Sequence, residues 1–298
     1  MKKTPLVSIL MNCYNEEQLI SRAIKSVLKQ TYKNFELLIW DDASDDNTKK
    51  IINLFNDKRI KFFKNKKHLG LGSSRCKAQN KIHGELVAIL DADDVMIPTR
   101  IAKQVDAFTK NKKLVLVSSW IKFTDVNGAT IPDNFTVAPI INRKLNKNRI
   151  KENMAWRNVL AHSSIMYKKK EAKKVGWYSN KLEYAQDYDL SVRLIKDYEC
   201  KILPERLTLI TSRKESMTKS AKLKKKKIQE NLYILKKCRS QFIMSNRVLF
   251  LNSNSIKMNE LKLKLTQNIN IIIKFFIVIK TLLQSPSLLS FHFLKKNA

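Results

Sequence analysis

Acidic residues are scarce in this chain, and toward its end they almost vanish. Its 298 residues carry 58 lysines and arginines against 26 aspartates and glutamates, a formal charge of +32. From 201 onward the only acids are Glu205, Glu215, Glu230 and Glu260, among many lysines that include the run Lys224 to Lys227. Such a balance points to a polyanionic partner: nucleic acid, an anionic membrane face or a phosphorylated substrate. A lysine-rich proteome would raise the same total, so charge alone decides little. Cysteine is sparse too. Cys13, Cys76, Cys200 and Cys238 are widely scattered, which excludes a disulfide framework and any metal-finger spacing. No uninterrupted apolar run reaches the roughly 20 residues of a spanning helix. The opening "MKKTPLVSIL" is broken too soon by "NCYNEE" for a signal peptide, so the cytosol is the expected compartment. At 44% hydrophobic, the chain has enough apolar content for a real core, and wholesale disorder is not expected.

What is present alternates. "LVSILM" (6–11) reads as a strand ended by Asn12, and Leu19, Ile20, Ala23, Ile24, Val27 and Leu28 then recur at helical spacing. "FELLIW" (35–40) is a second strand, ended by Asp41-Asp42, and "SDDNT" supplies N-cap chemistry for the next helix. "IKFF" (60–63) and "ELVAIL" (85–90) are the third and fourth strands, with a helix after "HLGLGSS" between them. Strands and helices in this order predict a parallel, doubly wound α/β sheet, in which ligands bind beyond the carboxyl ends of the strands. "LVLVSSW" (114–120) and "AHSSIMY" (161–167) read as further strands, and "AQDYDLSVRLI" opens a helix. Turn signals thin out after about 215. The expected organisation is therefore a domain over 1–215 and a basic, mainly helical extension over 216–298.

Three carboxylates crowd "ILDADD" directly after the fourth strand. Asp91, Asp93 and Asp94 could form a solvated acidic turn or a helix cap. Their place at the end of a buried strand also suits a hard divalent cation, Mg²⁺ or Mn²⁺, which takes one or two carboxylates when phosphate oxygens supply other ligands. Asp41 and Asp42 repeat the pattern after the second strand. Either could cap a helix, or accept a hydrogen bond from a base N–H or a ribose hydroxyl.

"VSILMNCYNEEQLISRAIKSVLKQTYKNFELLIWDDASDDNT" resembles the opening of the family 2 glycosyltransferases, inverting nucleotide-sugar enzymes of GT-A fold. The resemblance continues through "GLGSSRCKAQNKIHGELVAILDADDVMIPTRIAKQV" and "RNVLAHSSIMYKKKEAKKVGWYSNKLEYAQDYDLSVRLI", covering about 5–215 with the motifs in order. It implies a Rossmann-like, mostly parallel sheet flanked by helices. It also implies that Asp42, with Asp41 beside it, recognises base and ribose, and that Tyr14 and Glu16 line the nucleotide pocket. Arg75 matches an arginine near the base or diphosphate. Asp91 and Asp93 match the DxD pair, with Asp93 as direct metal ligand and Asp91 as donor-binding residue or second ligand. Asp187 matches the catalytic base, and His162 and Ser163 are acceptor candidates, although a lone histidine on a strand is more often structural. Cys76, Ala78 and Gln186 depart from the residues common at their positions, and Arg213-Lys214 lacks a histidine often found there.

The implied activity is inverting transfer from a nucleoside diphospho-sugar to a hydroxyl of a glycan or lipid-linked acceptor, in bacterial cell-surface polysaccharide or lipopolysaccharide synthesis. UDP is the first choice of carrier, with GDP and TDP open. Other readings carry less. A nucleic-acid-binding protein would explain the charge, but the crevice motifs are acidic and no recognition module is evident. A sugar nucleotidyltransferase would have a Gly-rich loop where this chain has "MNCYNEE", and an inactive relative would not be expected to keep Asp93 and Asp187. The stretch "NINIIIKFFIVIKTLLQ" (268–284) reads either as an interfacial helix on an anionic membrane face or as a helix packed on the protein. The first would place the protein peripherally on the inner face of the cytoplasmic membrane.

Overall fold

The computed structural model describes residues 4–133, 137–213 and 223–266, together with 278, 279, 281, 282, 285 and 288. The chain divides into two units, Met1–Ile150 with Val159–Lys214, and Lys151–Asn158 with Glu215–Ala298.

Among the described residues the first unit has eight strands: β1 (Val7–Cys13), β2 (Phe35–Asp41), β3 (Ile60–Lys64), β4 (Leu86–Ile89), β5 (Val95–Met96), β6 (Leu114–Thr124), β7 (Met166–Lys168) and β8 (Glu199–Thr211). They form one sheet in the order β3-β2-β1-β4-β7-β6-β8-β5. β1 to β4 and the β6–β8 pair run parallel, while β7 and β5 are antiparallel to their neighbours. The expected mostly parallel α/β architecture is therefore present. β1 and β2 are buried on both faces, and this is why they read as unbroken apolar runs and not as alternating ones.

Helices α1 (Ile20–Leu28), α2 (Thr48–Asn53) and α3 (Leu71–Ala78) connect the first four strands, and α4 (Arg100–Lys110), α5 (Ala138–Ile141) and α6 (Lys147–Met154) follow. α7 (Lys169–Lys174) and α8 (Gln186–Asp197) complete the pattern before β8. On α1, Ile20, Ala23, Ile24 and Val27 pack into the core with Ile9, Met11 and Leu37. Each fully buried Ile or Leu contributes about 1.5–3 kcal/mol, which is the main force holding helix to sheet.

Two differences from the sequence reading bear on the rim of the sheet. The expected strand 161–167 shrinks to Met166–Lys168, because His162–Ser164 form a 3₁₀ turn. β8 was not anticipated, since Pro204 and its charged neighbours interrupt "KILPERLTLI". The strand absorbs them at a register shift: Ser119 pairs with Leu203 and Trp120 with Arg206, so Pro204 and Glu205 bulge out of the ladder.

The second unit holds α9 (Lys224–Gln241) and α10 (Asn246–Leu265). Ser245 caps α10 by accepting from Val248 N. Asn252 is fully buried, and its Nδ2 donates to Ala155 O at 2.7 Å and Leu235 O at 3.0 Å, tying both helices' turns to the 151–158 segment. Trp156, Leu251 and Met258 pack together in this unit. No helix among the described residues is long and apolar enough to cross a membrane. The 268–284 stretch lies almost wholly outside the described residues.

Candidate active site

The strand directions decide what meets at the sheet's rim. Parallel β1, β2, β3 and β4 all end on one side, and β8 ends there too. Antiparallel β7 instead begins there, so the His162–Ser164 turn lies beside the end of β4, with Ile89 N donating to Ile165 O at 3.0 Å. The acidic loop 91–94 is braced from both flanks. Asp91 N donates to the Ser163 hydroxyl at 3.0 Å, and Asp94 Oδ1 accepts from Thr211 N at 2.8 Å. The Thr211 hydroxyl and Arg22 Nη2 both donate to Asp93 O. Arg100, fully buried, donates to Ile89 O, Ser163 O and Ile165 O and so locks the two strand ends together.

Within that frame Arg75 makes the central link. From α3 its Nη2 donates to Asp91 Oδ1 at 2.8 Å and its Nη1 to Gln186 Oε1 at 2.9 Å. It therefore joins the DxD loop to the first residue of α8, next to Asp187. Gly72, one turn earlier on α3, permits this approach: a Cβ there would lie 2.1 Å from Leu182 O. The charge on Asp187 acts on both the His162 ring and the Tyr178 hydroxyl, which bond each other through Nε2 at 3.0 Å. His162 Nδ1 stands 3.9 Å from Asp91 Oδ1, beyond hydrogen-bond distance. The DxD loop, Arg75 and His162 thus come together, and Asp187 stands next in sequence to the Gln186 that Arg75 bonds.

The electrostatics are unequal across the loop. Burial raises the Asp91 carboxyl's pKa, but the His162 imidazole and the Arg75 guanidinium outweigh it and hold the group well below the usual carboxylate range. Asp93 goes the other way, raised by burial and by the Asp91 charge, with Arg213 only partly offsetting them. Asp94, 3% exposed, is raised further by burial and by both neighbours. Burial and the Arg75 charge lower the His162 pKa, with the Asp91 and Asp187 carboxylates opposing them. Glu16 is pushed up to about 7, chiefly by burial, although Arg213 donates to both its oxygens.

The nucleotide-side candidates form a second group at the ends of β1 to β3. Asp41 Oδ1 accepts from both the amide and the hydroxyl of Ser44, and Ser44 Oγ in turn accepts from Asn15 N. These bonds hold two tight turns in which Asn15 (φ 54°) and Ala43 (φ 66°) are left-handed, a conformation costly for an alanine. Asp42 is 4% exposed, and its carboxylate accepts from Asn65 Nδ2, Leu69 N and Gly70 N. Its oxygens thus shape the 65–70 loop. Tyr14, by contrast, is 42% exposed, with its ring centroid 4.1 Å from that of His68, which also lies 3.1 Å from Asp42 Oδ2.

Ser163 is 2% exposed and turned to the Asp91 amide, a place that supports the loop and offers no surface to an acceptor. Asp189 pairs with Arg193 four residues on in α8, at 2.7 Å. His68, Gln186, Thr211 and Arg100 were not singled out as site residues in the sequence. Extending the strand-end rule to β3 would have flagged His68.

Among the described residues, no group of three or more His, Cys, Asp or Glu side chains could hold a metal by itself. The arrangement present is an all-oxygen carboxylate pair, with Arg75 on Asp91 and Arg213 3.0 Å from Asp93. That donor set fits a hard cation drawing its remaining ligands from phosphate oxygens.

An eight-stranded, mostly parallel sheet with an acidic loop at its rim is the GT-A architecture. A mannosyltransferase from Pyrobaculum calidifontis, solved with GDP-Man and Mn²⁺, shares the fold at TM-score 0.64, covering 97% of this chain and 85% of its own at 15% identity. The chain belongs to glycosyl transferase family 2, whose sequence model matches residues 8–176. A glycosyltransferase of Methanocaldococcus jannaschii whose function is uncharacterised is 37% identical over 206 residues, which is 67% of this chain and 69% of that protein. The Escherichia coli enzyme UDP-Glc:alpha-D-GlcNAc-diphosphoundecaprenol beta-1,3-glucosyltransferase WfgD is 38% identical over 148 residues, half of this chain and 56% of that protein.

Proposed function

We propose that this glycosyltransferase moves a sugar, with inversion, from a nucleoside diphospho-sugar to a hydroxyl of a glycan or lipid-linked acceptor in surface-polysaccharide synthesis. The observation that carries the reading is the Arg75 bridge, which sets the Asp91–Asp93 loop and the start of α8 on either side of one guanidinium. UDP is the first choice of carrier. The WfgD relative is named for UDP-Glc and for a diphosphoundecaprenol acceptor, and its β-1,3 product is what inversion of an α-linked donor would give.

Asp93, with Asp91, would hold Mg²⁺ or Mn²⁺ and the donor diphosphate. Bound there, the cation would stabilise the negative charge that develops on the leaving phosphate oxygen. Tyr14 and His68 present a ring surface for the base, and the loop built on Asp42 frames it. Asp187 takes the proton from the acceptor hydroxyl as that oxygen attacks the anomeric carbon from the face opposite the diphosphate. Arg75, neutralising Asp91, keeps the two carboxylate groups from repelling each other apart. His162 is held beside Asp91 by its Nε2 bond to the Tyr178 hydroxyl.

A panel of nucleotide-sugars tested by thermal shift, with and without Mn²⁺, examines this directly. A donor at 100 times its Kd adds about 2.7 kcal/mol to the native state. One sugar nucleotide should raise the melting temperature only when Mn²⁺ is present, and Asp93→Ala should abolish that shift. A full shift in Asp93→Ala would remove Asp93 from donor binding.

A further inference from the structure

The Arg213 guanidinium is seated among the carboxylates as a bound cation would be. Nη1 donates to Glu16 Oε2 at 2.9 Å, Nη2 donates to Glu16 Oε1 at 2.5 Å, and Nη2 stands 3.0 Å from Asp93 Oδ2. The seat is incomplete, since the buried Nε finds no acceptor among the described residues. The backbone leading to it is fixed: Thr211 is bonded to Asp93 and Asp94, and Ser212 N donates to Thr124 O at 2.8 Å. The side chain is 29% exposed, so it can swing without unravelling β8.

We propose that Arg213 is a tethered counter-cation, filling the Asp93–Glu16 seat in the donor-free enzyme and leaving Asp93 when metal and nucleotide arrive together. The proposal rests on the reading of Asp93 as a metal ligand. A dication on Asp93 Oδ2 at the usual distance of about 2.1 Å would stand within roughly 5 Å of Nη2, even with the two contacts in line. Even among these carboxylates, a dication and a guanidinium at that spacing repel each other. Metal alone must therefore evict the arginine. A nucleoside diphosphate brings the negative charge that can rehouse the guanidinium, because arginine pairs bidentately with phosphate oxygens. The consequence is a site that resists free metal and accepts the metal–nucleotide pair.

The test is Mn²⁺ titration of the full chain, read from the electron paramagnetic resonance of free Mn²⁺, first alone and then with UDP. Arg213→Gln should bind Mn²⁺ alone at least tenfold more tightly than wild type and bind Mn²⁺ with UDP less tightly. Arg213→Lys, which keeps the charge, should stay near wild type for Mn²⁺ alone. Arg206→Gln, whose partner is Asp133, controls for net charge and should change nothing. Adding Asp93→Asn to Arg213→Gln should remove the gained site. Equal Mn²⁺ affinity in wild type and Arg213→Gln overturns the counter-cation role and leaves the metal reading standing. Absence of Mn²⁺ binding in every form, with or without UDP, overturns both.

Discussion

Gly72→Ala is a one-methyl perturbation whose effect can be traced from packing to site geometry. In the native packing the added Cβ would sit 2.1 Å from Leu182 O and 3.1 Å from its carbonyl carbon. Neither neighbour is a flexible side-chain tip, so backbone must move by about an ångström to restore van der Waals contact. The motion separates α3 from the segment leading into α8, and Arg75 and Gln186 sit on its two sides. A hydrogen bond of 2.9 Å lengthened by that much is no longer a hydrogen bond. Overpacking of this kind costs about 1–3 kcal/mol, or roughly 2–10 °C in melting temperature for a domain of this size. The catalytic cost should be larger, since a misplacement of about 1 Å can cost on the order of 100-fold. Steady-state kinetics on the donor found by the nucleotide-sugar panel, with a melting curve alongside, would measure both. Wild-type kcat/KM together with a wild-type melting temperature would refute the claim that this contact sets the spacing between Arg75 and α8.

Three further expectations follow from particular groups. Glu16, raised to about 7 from an ordinary 4.5, gives stability that is fully present below pH 4.5 and lost as pH rises through about 7, at up to about 1.4 kcal/mol per pH unit. Urea denaturation at pH 5 and pH 7 should show that fall in wild type and a smaller fall in Glu16→Gln, where the raised Asp93 and Asp94 remain; equal falls would contradict it. Arg100→Met removes the guanidinium donor from three buried carbonyls, of which Ile165 O keeps the Ile89 amide, and should destabilise by about 2 kcal/mol or more, again by urea denaturation, where a loss under about 1 kcal/mol would contradict the bracing role. Asp187→Asn should keep Mn²⁺-dependent donor binding by calorimetry while product formation falls by at least 100-fold, and unchanged turnover would remove it as the base.

The part of the fold that was legible is the part whose signals are local. Unbroken apolar runs marked β1, β2 and β4, and helical spacing marked α1, because burial there follows directly from residue type. β8 was missed because its continuity depends on a bulge at Pro204 that only the neighbouring β6 accommodates. The turn at His162–Ser164 escaped notice for a similar reason: β-rich composition is the same whether or not Ser164 turns back to bond Ala161 O and Ser118. At the site, strand ends announced Asp41, Asp42, Asp91 and Asp93, but pairings across more than a hundred residues leave no mark in the sequence. Arg75 with Gln186 and Glu16 with Arg213 are of that kind. Asp42 shows the converse: its position was evident, while the use of its oxygens to build the 65–70 loop was not.

The most direct test of the central claim is an anomalous-difference map from crystals of the protein grown with UDP and Mn²⁺. The account predicts one strong peak bonded to Asp93 and to diphosphate oxygens, with Asp187 across the sugar site and Arg213 withdrawn from Asp93. A UDP molecule bound with no anomalous peak at Asp93, or a peak coordinated by other residues, would contradict it.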